Sequence, residues 1–189
     1  MYYIWTLDTD QAGSDYFDCG IDQFDDWDLI EWQIGNKIEG KLPEILKYYA
    51  VNAVLPNDYA MTGSMEFLIS SKIFIILKQS GEDNIDYYES CIIQPEGNRI
   101  DRYFTANILN VVDCIDNNES NYRVIKYGPV EVCYYSKLVL NYEKIDSKIK
   151  LFRLSGREGL VVAHESIVEA FKEEGVTGIK FVPVEDYKD

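Results

Sequence analysis

The sequence predicts an α+β fold, a strand-rich chain with mostly antiparallel sheets, a few packed helices and two similar strand-helix-strand units. Three observations predict it. Short runs of β-branched and aromatic residues recur along the chain, turn residues separate them, and two helical patterns each stand between two such runs. The 189 residues, 47% of them hydrophobic, are enough to bury a core as one domain over residues 1–189. The alternative is a division into an acidic part, residues 1–60, and a part with both units, residues 61–189.

The amino-terminal part of the chain contains few regular patterns. Tyr2 to Leu7 has the composition of an opening strand. Over residues 41–53, four apolar side chains share one side of a helical projection, which predicts a short helix with Pro43 in its first turn. Pro56 to Asp58 is a predicted turn.

The middle of the chain supplies the first strand-helix-strand unit and then several strands. The helix of that unit, Ser71 to Ser80, carries five consecutive apolar residues, so we expect it to be buried nearly all round. Residues 87–93 and 102–112 are predicted as antiparallel strands joined by the turn Gln94 to Asn98. A polar connection over 113–121 and strands over 130–135 and 137–142 complete this part.

The most regular segment runs from Leu151 to Val184. Ile167, Ala170 and Phe171 recur at helical spacing, and Gly175 is placed to end that helix in the left-handed conformation. The predicted strands around this helix cover residues 148–154, 160–162 and 177–183.

The same pattern occurs 94 residues earlier in the chain. The shift aligns Ile73 with Ile167, Leu77 with Phe171, Gly81 with Gly175 and Ile85 with Ile179. Both segments then contain an apolar strand, a helix with a small polar residue at its start, a glycine stop and a returning strand. We interpret them as two related units.

The charge balance excludes several classes of function. The chain has 33 acids and 18 bases, a net charge of −15 and a pI near 4.4, which argues against binding to nucleic acid or to anionic membranes. Nine of the acids lie between Asp8 and Glu31, and no Lys or Arg precedes Lys37. No apolar run is long enough to span a bilayer and no secretory signal pattern is present, so the expected location is the cytoplasm.

Residues with obvious chemistry are sparse. His164 is the only histidine, and its place before a helix favours a capping or surface role over catalysis. Asp8 to Gly13 resembles the start of a calcium loop, but Ala12 and the later cysteine stand where ligands are needed, so we expect an aspartate-rich turn. The four cysteines form no C-x-x-C pair and are expected to be reduced: Cys19, Cys91, Cys114 and Cys133. Neither a metal nor a cofactor is expected.

Two acidic segments are the candidate binding surfaces. The first is the segment from Asp15 to Glu31, where Trp27 and the following Trp32 stand beside carboxylates, a mixture typical of interfaces with positively charged proteins. In the carboxy-terminal helix, three glutamates recur every four residues and must face either water, as a solvated ridge, or a basic partner. The candidate partner-binding residues are Asp15, Asp18, Asp22, Asp25, Asp26, Trp27, Asp28, Glu31, Trp32, Glu165, Glu169 and Glu173.

Several stretches together indicate a family. They are Tyr2 to Trp5, Leu68 to Ser71, Tyr103 to Leu109, Val112 to Asp116, Ile149 to Leu154 and, most clearly, Gly175 to Phe181. On these stretches the chain resembles the bacterial immunity-protein domain numbered eleven among polymorphic-toxin immunity families. The helix start that usually has serine is Ala163-His164 here, a departure that affects a cap.

The resemblance implies an antitoxin, a non-enzymatic protein that binds and neutralises the toxic domain of a cognate bacterial toxin inside the producing cell. The acidic composition adds the expectation of a basic toxin domain, occluded through an acidic surface. The oligomeric state stays open. The alternatives are an enzyme of unknown reaction with a carboxylate-lined pocket and an interaction module unrelated to toxins; an enzyme should show a cavity in which carboxylates or His164 cluster.

Overall fold

The chain forms an α+β structure in which strands predominate, as predicted. The computed structural model describes residues 1–8, 18–20, 32, 34–40, 42–51, 55–62, 67–127 and 130–189. The strands are β1 (Tyr2–Leu7), β2 (Asp18–Gly20), β3 (Leu46–Ala50), β4 (Tyr59–Thr62), β5 (Phe67–Ser70), β6 (Ile85–Ile93), β7 (Arg99–Ile108), β8 (Val111–Val112), β9 (Asn121–Tyr127), β10 (Val130–Lys137), β11 (Leu151–Leu154), β12 (Arg157–His164) and β13 (Ile179–Pro183). The helices with described bounds are α1 (Ser71–Gln79) and α2 (Glu165–Glu173), and short 3-10 turns cover Tyr142–Lys144 and Val184–Asp186.

Six strands close into a barrel in the order β2-β3-β6-β7-β5-β4. Its pairs are antiparallel except β2 with β4 and β3 with β6. Leu46, Tyr48 and Ala50 of β3 are buried, while the residues between them are exposed. This period of two belongs to a strand, so the predicted helix over 41–53 is wrong.

A second sheet has the order β13-β1-β12-β11-β8. The opening strand β1 lies between β13 and β12 and is antiparallel to both, with Ile4 opposite Val162 on one side and Val182 on the other. Only β11 and β8 run parallel in this sheet. The strands β9 and β10 form a separate two-stranded ribbon.

The two strand-helix-strand units are alike in topology as well as in sequence. In the first unit β7 lies between β5 and β6, and in the second β1 lies between β12 and β13, so each helix connects parallel strands across an antiparallel one. The shift of 94 residues carries both ends of α1 onto those of α2, and the start of β6 onto that of β13. Gly81 and Gly175 both have positive φ, at 81° and 59°, as the predicted glycine stops require.

Both helices share one hydrophobic core between the barrel and the second sheet. Ile73 and Leu77 of α1 and Ile167 and Phe171 of α2 are at most 2% exposed and pack in the same cluster as Trp5. The expectation that α1 is buried nearly all round is wrong. Its apolar run continues onto the outer face, where Ile75 is 49% exposed, because a helix lying on a sheet presents one face outwards.

Two other predicted strands differ from the structure, and one strand of the ribbon was missed. The predicted strand over 102–112 is interrupted after Ile108, and β8 pairs with β11 instead. The predicted strand over 137–142 is reduced to a single bridge between Leu140 and Ile115, because Leu138 and Leu140 turn into a second core cluster. Strand β9 was not predicted.

Asp58 joins the first unit to the second. Its carboxylate accepts hydrogen bonds from Ser70 Oγ at 2.8 Å, Lys72 Nζ at 3.0 Å and the backbone N–H of Thr177 at 3.0 Å. Ser70 stands at the N-cap position of α1, yet its hydroxyl makes no capping bond because it is used for Asp58. Nearby, Gly178 approaches the start of β4 so closely that a Cβ at Gly178 would lie 2.5 Å from the carbonyl oxygen of Tyr59.

Candidate functional site

The three glutamates predicted as a ridge lie on one side of α2. Glu169 and Glu173 are exposed, and Glu165 is half-exposed with a carboxylate oxygen 3.7 Å from the amino group of Met1. The opposite face of α2 is fixed in the core by Ile167 and Phe171. Because these apolar side chains set the rotation of the helix, the glutamates lie on the side of α2 away from the core.

His164 caps α2, as the sequence favoured. Its Nδ1 accepts a hydrogen bond from the backbone N–H of Ser166 at 3.2 Å and lies 3.0 Å from the Ser166 hydroxyl. The ring also packs edge-on against Tyr2, with centroids 5.2 Å apart. A nitrogen that accepts the first-turn N–H of a helix is occupied in capping, and this arrangement supports the fold rather than a catalytic pair.

The cap predicts a pH dependence of stability. Burial lowers the pKa of His164, and the nearby amino terminus adds to this effect against the opposing charges of Glu165 and Glu169. Because the unfolded chain then binds a proton more readily than the folded one, this contribution is complete above about pH 6.5 and is lost as pH falls through the folded pKa.

We therefore expect the wild type to lose stability relative to His164→Asn when the pH is lowered from about 7.5 to about 5.5, since asparagine caps without titrating. Urea unfolding at both pH values measures the difference. A difference between the two proteins that does not change with pH would contradict the capping role.

Most of the predicted amino-terminal binding residues lie outside the described residues. These are Asp15, Asp22, Asp25, Asp26, Trp27, Asp28 and Glu31. Asp18 begins β2, where its backbone pairs with that of Met61. The aspartate-rich turn predicted at Asp8 to Gly13 also lies outside, apart from Asp8, whose N–H donates to Gly178 O at 3.1 Å.

Trp32 requires a correction. The sequence placed it on the binding surface, but it is 3% exposed and its ring packs edge-on against Tyr88, 5.1 Å away. It belongs to the core cluster that contains Leu46, Tyr48 and Tyr103. An indole in that position stabilises the barrel, and burying it is worth more than exposing it beside carboxylates.

Two cavities formed by described residues can be compared with the lining expected of an enzyme. A cavity of about 280 Å³ lies where β9 begins and β10 ends, and another of about 120 Å³ lies between α2 and β13. Neither cavity is lined by His164 or by a pair of carboxylates. Burial lowers the pKa of Arg153 to about 10 and raises that of Glu82, but both groups bind backbone, Arg153 at Ile108 O and Glu82 at Lys150 N. Within the described ranges no group of His, Cys, Asp and Glu could hold a metal ion.

The match to known proteins decides the family. A family model described as an immunity protein family (Imm11) matches residues 12–186 of the 189. The chain belongs to the Imm11 immunity protein family. No curated protein matches it. The resemblance drawn from short stretches of sequence is thereby confirmed, and the match spans both strand-helix-strand units of this Imm11 chain.

Membership in Imm11 implies an immunity protein and suggests a non-enzymatic role. Two of the stretches that carry the resemblance, Leu68 to Ser71 and Ile149 to Leu154, lie within the matched residues and contain buried strands. Such stretches define the fold and leave the contact surface open. No helix in the described part of this Imm11 chain is long and apolar enough to cross a membrane. The sequence offered no signal for one further feature, a backbone edge of β9 that pairs with no other described strand.

Proposed function

We propose that this protein neutralises a cognate bacterial toxin domain inside the producing cell by binding it and covering its active surface with an acidic face. The observation that carries the proposal is the Imm11 match over residues 12–186. The exposed carboxylates of α2 support the acidic character of the contact, since a rigid helix presents them to solvent.

The net charge of −15 gives this mode of binding a physical basis. A basic toxin domain approaching such a surface is steered by long-range attraction, which raises the association rate at low salt. If the toxin acts on nucleic acid, the same carboxylates occupy the positions at which phosphates would bind. The proposed contact residues are Asp15, Asp18, Asp22, Asp25, Asp26, Trp27, Asp28, Glu31, Glu165, Glu169 and Glu173, without the buried Trp32.

Co-expression tests the function itself. A candidate toxin domain encoded by a neighbouring gene is expressed with and without this chain, and growth and copurification of the two proteins are measured. We expect growth to be restored and the proteins to copurify. Growth arrest that persists in the presence of the folded protein would disprove the immunity function against that toxin.

Neutralising the ridge tests its part in binding. In Glu165→Gln/Glu169→Gln/Glu173→Gln the shape of α2 is kept while three charges are removed, so we expect the association rate with the toxin domain to fall by about tenfold at low salt. Stopped-flow or surface-based kinetics at low and high salt measure this rate. Because salt screens the attraction, wild type and variant should converge at high salt.

The matched control removes three exposed carboxylates outside α2, in Glu96→Gln/Glu119→Gln/Glu143→Gln. It has the same net charge as the ridge variant, so a slower association in the ridge variant alone places the contact on α2. Equal rates in both variants would leave only a net-charge effect and would contradict a docking role for the ridge.

A further inference from the structure

Among the described residues, none pairs with the outer edge of β9 in the ribbon that β9 forms with β10. Within the described part of the chain each of its strands pairs only with the other, in a register that places Tyr122 opposite Tyr135 and Val124 opposite Cys133. A two-stranded ribbon is marginally stable by itself, so the way its edges are satisfied matters.

The outer edge of β10 is covered by residues of the second sheet and the carboxy terminus. The N–H of Tyr135 donates to Asp189 Oδ2 at 2.7 Å, and the N–H of Asp189 donates to Tyr135 O at 3.0 Å. Arg157 holds the Asp189 carboxylate through two hydrogen bonds of 2.8 Å and also donates to the carbonyl of Cys133. The backbone hydrogen-bonding groups of Cys133 and Tyr135 therefore point away from β9.

The direction of these groups on β10 determines the direction of the backbone groups on β9. In an antiparallel pair, two opposite residues either bond to each other or both point outwards. Tyr122 and Val124 lie opposite Tyr135 and Cys133, so their N–H and C=O groups point to the outer edge of β9, where no described backbone group bonds to them. Their side chains are 40% and 46% exposed.

We propose that this edge binds the same edge of a second copy of the chain, so that β9 pairs antiparallel with β9 of the other copy about a two-fold axis at Val124. The product is a four-stranded sheet across an isologous dimer. The inference does not depend on the proposed immunity function.

Charge and register favour a second copy as the occupant. With the axis at Val124, Tyr122 lies opposite Lys126 of the second copy, and Arg123 lies opposite its Ile125. No like charges are then opposed, and each lysine lies beside an aromatic ring. Residues 121–137 carry three bases and one acid in a chain of net charge −15, so two copies meet here with less repulsion than their acidic faces would produce.

The mass of the whole purified chain in solution tests the proposal. Sedimentation should show a dimer whose population rises with protein concentration and with salt, since salt screens the repulsion between the acidic remainders. Val124→Lys places two lysines opposite each other at the axis and should weaken the dimer by about tenfold or more. Val111→Lys, at another exposed strand valine, is the matched control and should leave the dimer unchanged.

Cysteine pairing tests the register. In a Cys133→Ser background, which removes the thiol opposite Val124, a mixture of Tyr122→Cys and Lys126→Cys chains should form a disulfide-linked heterodimer on mild oxidation, because bonded antiparallel pairs bring Cα atoms to about 5.5 Å. Either variant alone should not cross-link efficiently. A chain that stays monomeric at submillimolar concentration would overturn the proposal, as would a dimer that Val124→Lys leaves intact and that fails to cross-link.

Discussion

Gly178→Ala is expected to lower the free energy of unfolding by about 3 kcal/mol or more. Gly178 has φ of 84°, and a Cβ at this position would lie 2.5 Å from Tyr59 O and 2.7 Å from Asn57 Cβ. Because the nearer atom belongs to the backbone, no side-chain rotation can relieve the contact. The loop between α2 and β13 must move away from the start of β4, which weakens the hydrogen bond from Tyr59 N to Thr177 O. Urea unfolding measures the loss.

Gly156→Ala separates this steric effect from backbone strain. Gly156 has a similar φ of 78°, but no atom lies within 4 Å of the position of its Cβ. Alanine there carries only the cost of the left-handed conformation, about 1 kcal/mol. Equal losses of unfolding free energy in the two variants would show that the steric contact with the start of β4 adds nothing to the effect of Gly178→Ala.

The second strand-helix-strand unit could be predicted because each of its signals is local. Ile167 and Phe171 define a buried helix face within one turn, and Gly175 ends the helix at a position that the sequence alone indicates. The shift of 94 residues then transfers these boundaries to α1. The exposed glutamates of α2 follow from the same periodicity, because the face opposite a buried stripe is necessarily outside.

The barrel and the ribbon depend on contacts that the sequence does not display. The sequence around Leu46 fits two patterns: Leu46 and Tyr49 would share the face of a helix, and Leu46 and Tyr48 would share the face of a strand. The strand forms because β3 pairs with β6, which lies over forty residues away in the chain. Strand β9 has no alternation of buried apolar and exposed polar residues, because Tyr122, Arg123 and Val124 are all exposed. Without a buried side, its period of two carries no hydrophobic signal.

The residues of the candidate site were predictable from the sequence only where they belong to a regular helix. Glu169 and Glu173 stand on a regular helix, and their exposure follows from it. Trp32 was misplaced because an aromatic residue among acids resembles an interface residue, whereas only the tertiary fold shows that Tyr88 and Leu46 surround it. The orientation of the β9 edge follows from the hydrogen bond between Tyr135 of β10 and Asp189, two residues that are 54 positions apart in the chain.

Asp58→Ala is expected to reduce the free energy of unfolding by about 2 to 4 kcal/mol, because it removes acceptors for Ser70, Lys72 and Thr177 at once. The side chain of Asp58 is 14% exposed, so water replaces these bonds incompletely. Asp101→Ala is the matched control. Its ion pair with Arg99 is shorter, at 2.6 Å, but the Asp101 side chain is 60% exposed, and its loss should leave the unfolding midpoint close to that of the wild type.

The dependence on pH identifies the charge of Asp58 as the cause. Burial by itself would raise the pKa of Asp58, but the hydrogen bonds from Ser70, Lys72 and Thr177 outweigh it, and the pKa is lowered. The folded chain therefore binds fewer protons than the unfolded chain, in which an aspartate titrates near about pH 3.9. The contribution of Asp58 is complete above that pH and is lost as pH falls through the folded pKa. The pKa of Asp189 is lowered as well, so both proteins lose stability in acid through Asp189. Comparing the wild type with Asp58→Ala at each pH isolates the contribution of Asp58. We expect their difference in unfolding free energy to shrink on acidification, and a difference that stays constant down to about pH 2 would mean that the hydrogen bonds hold without the charge.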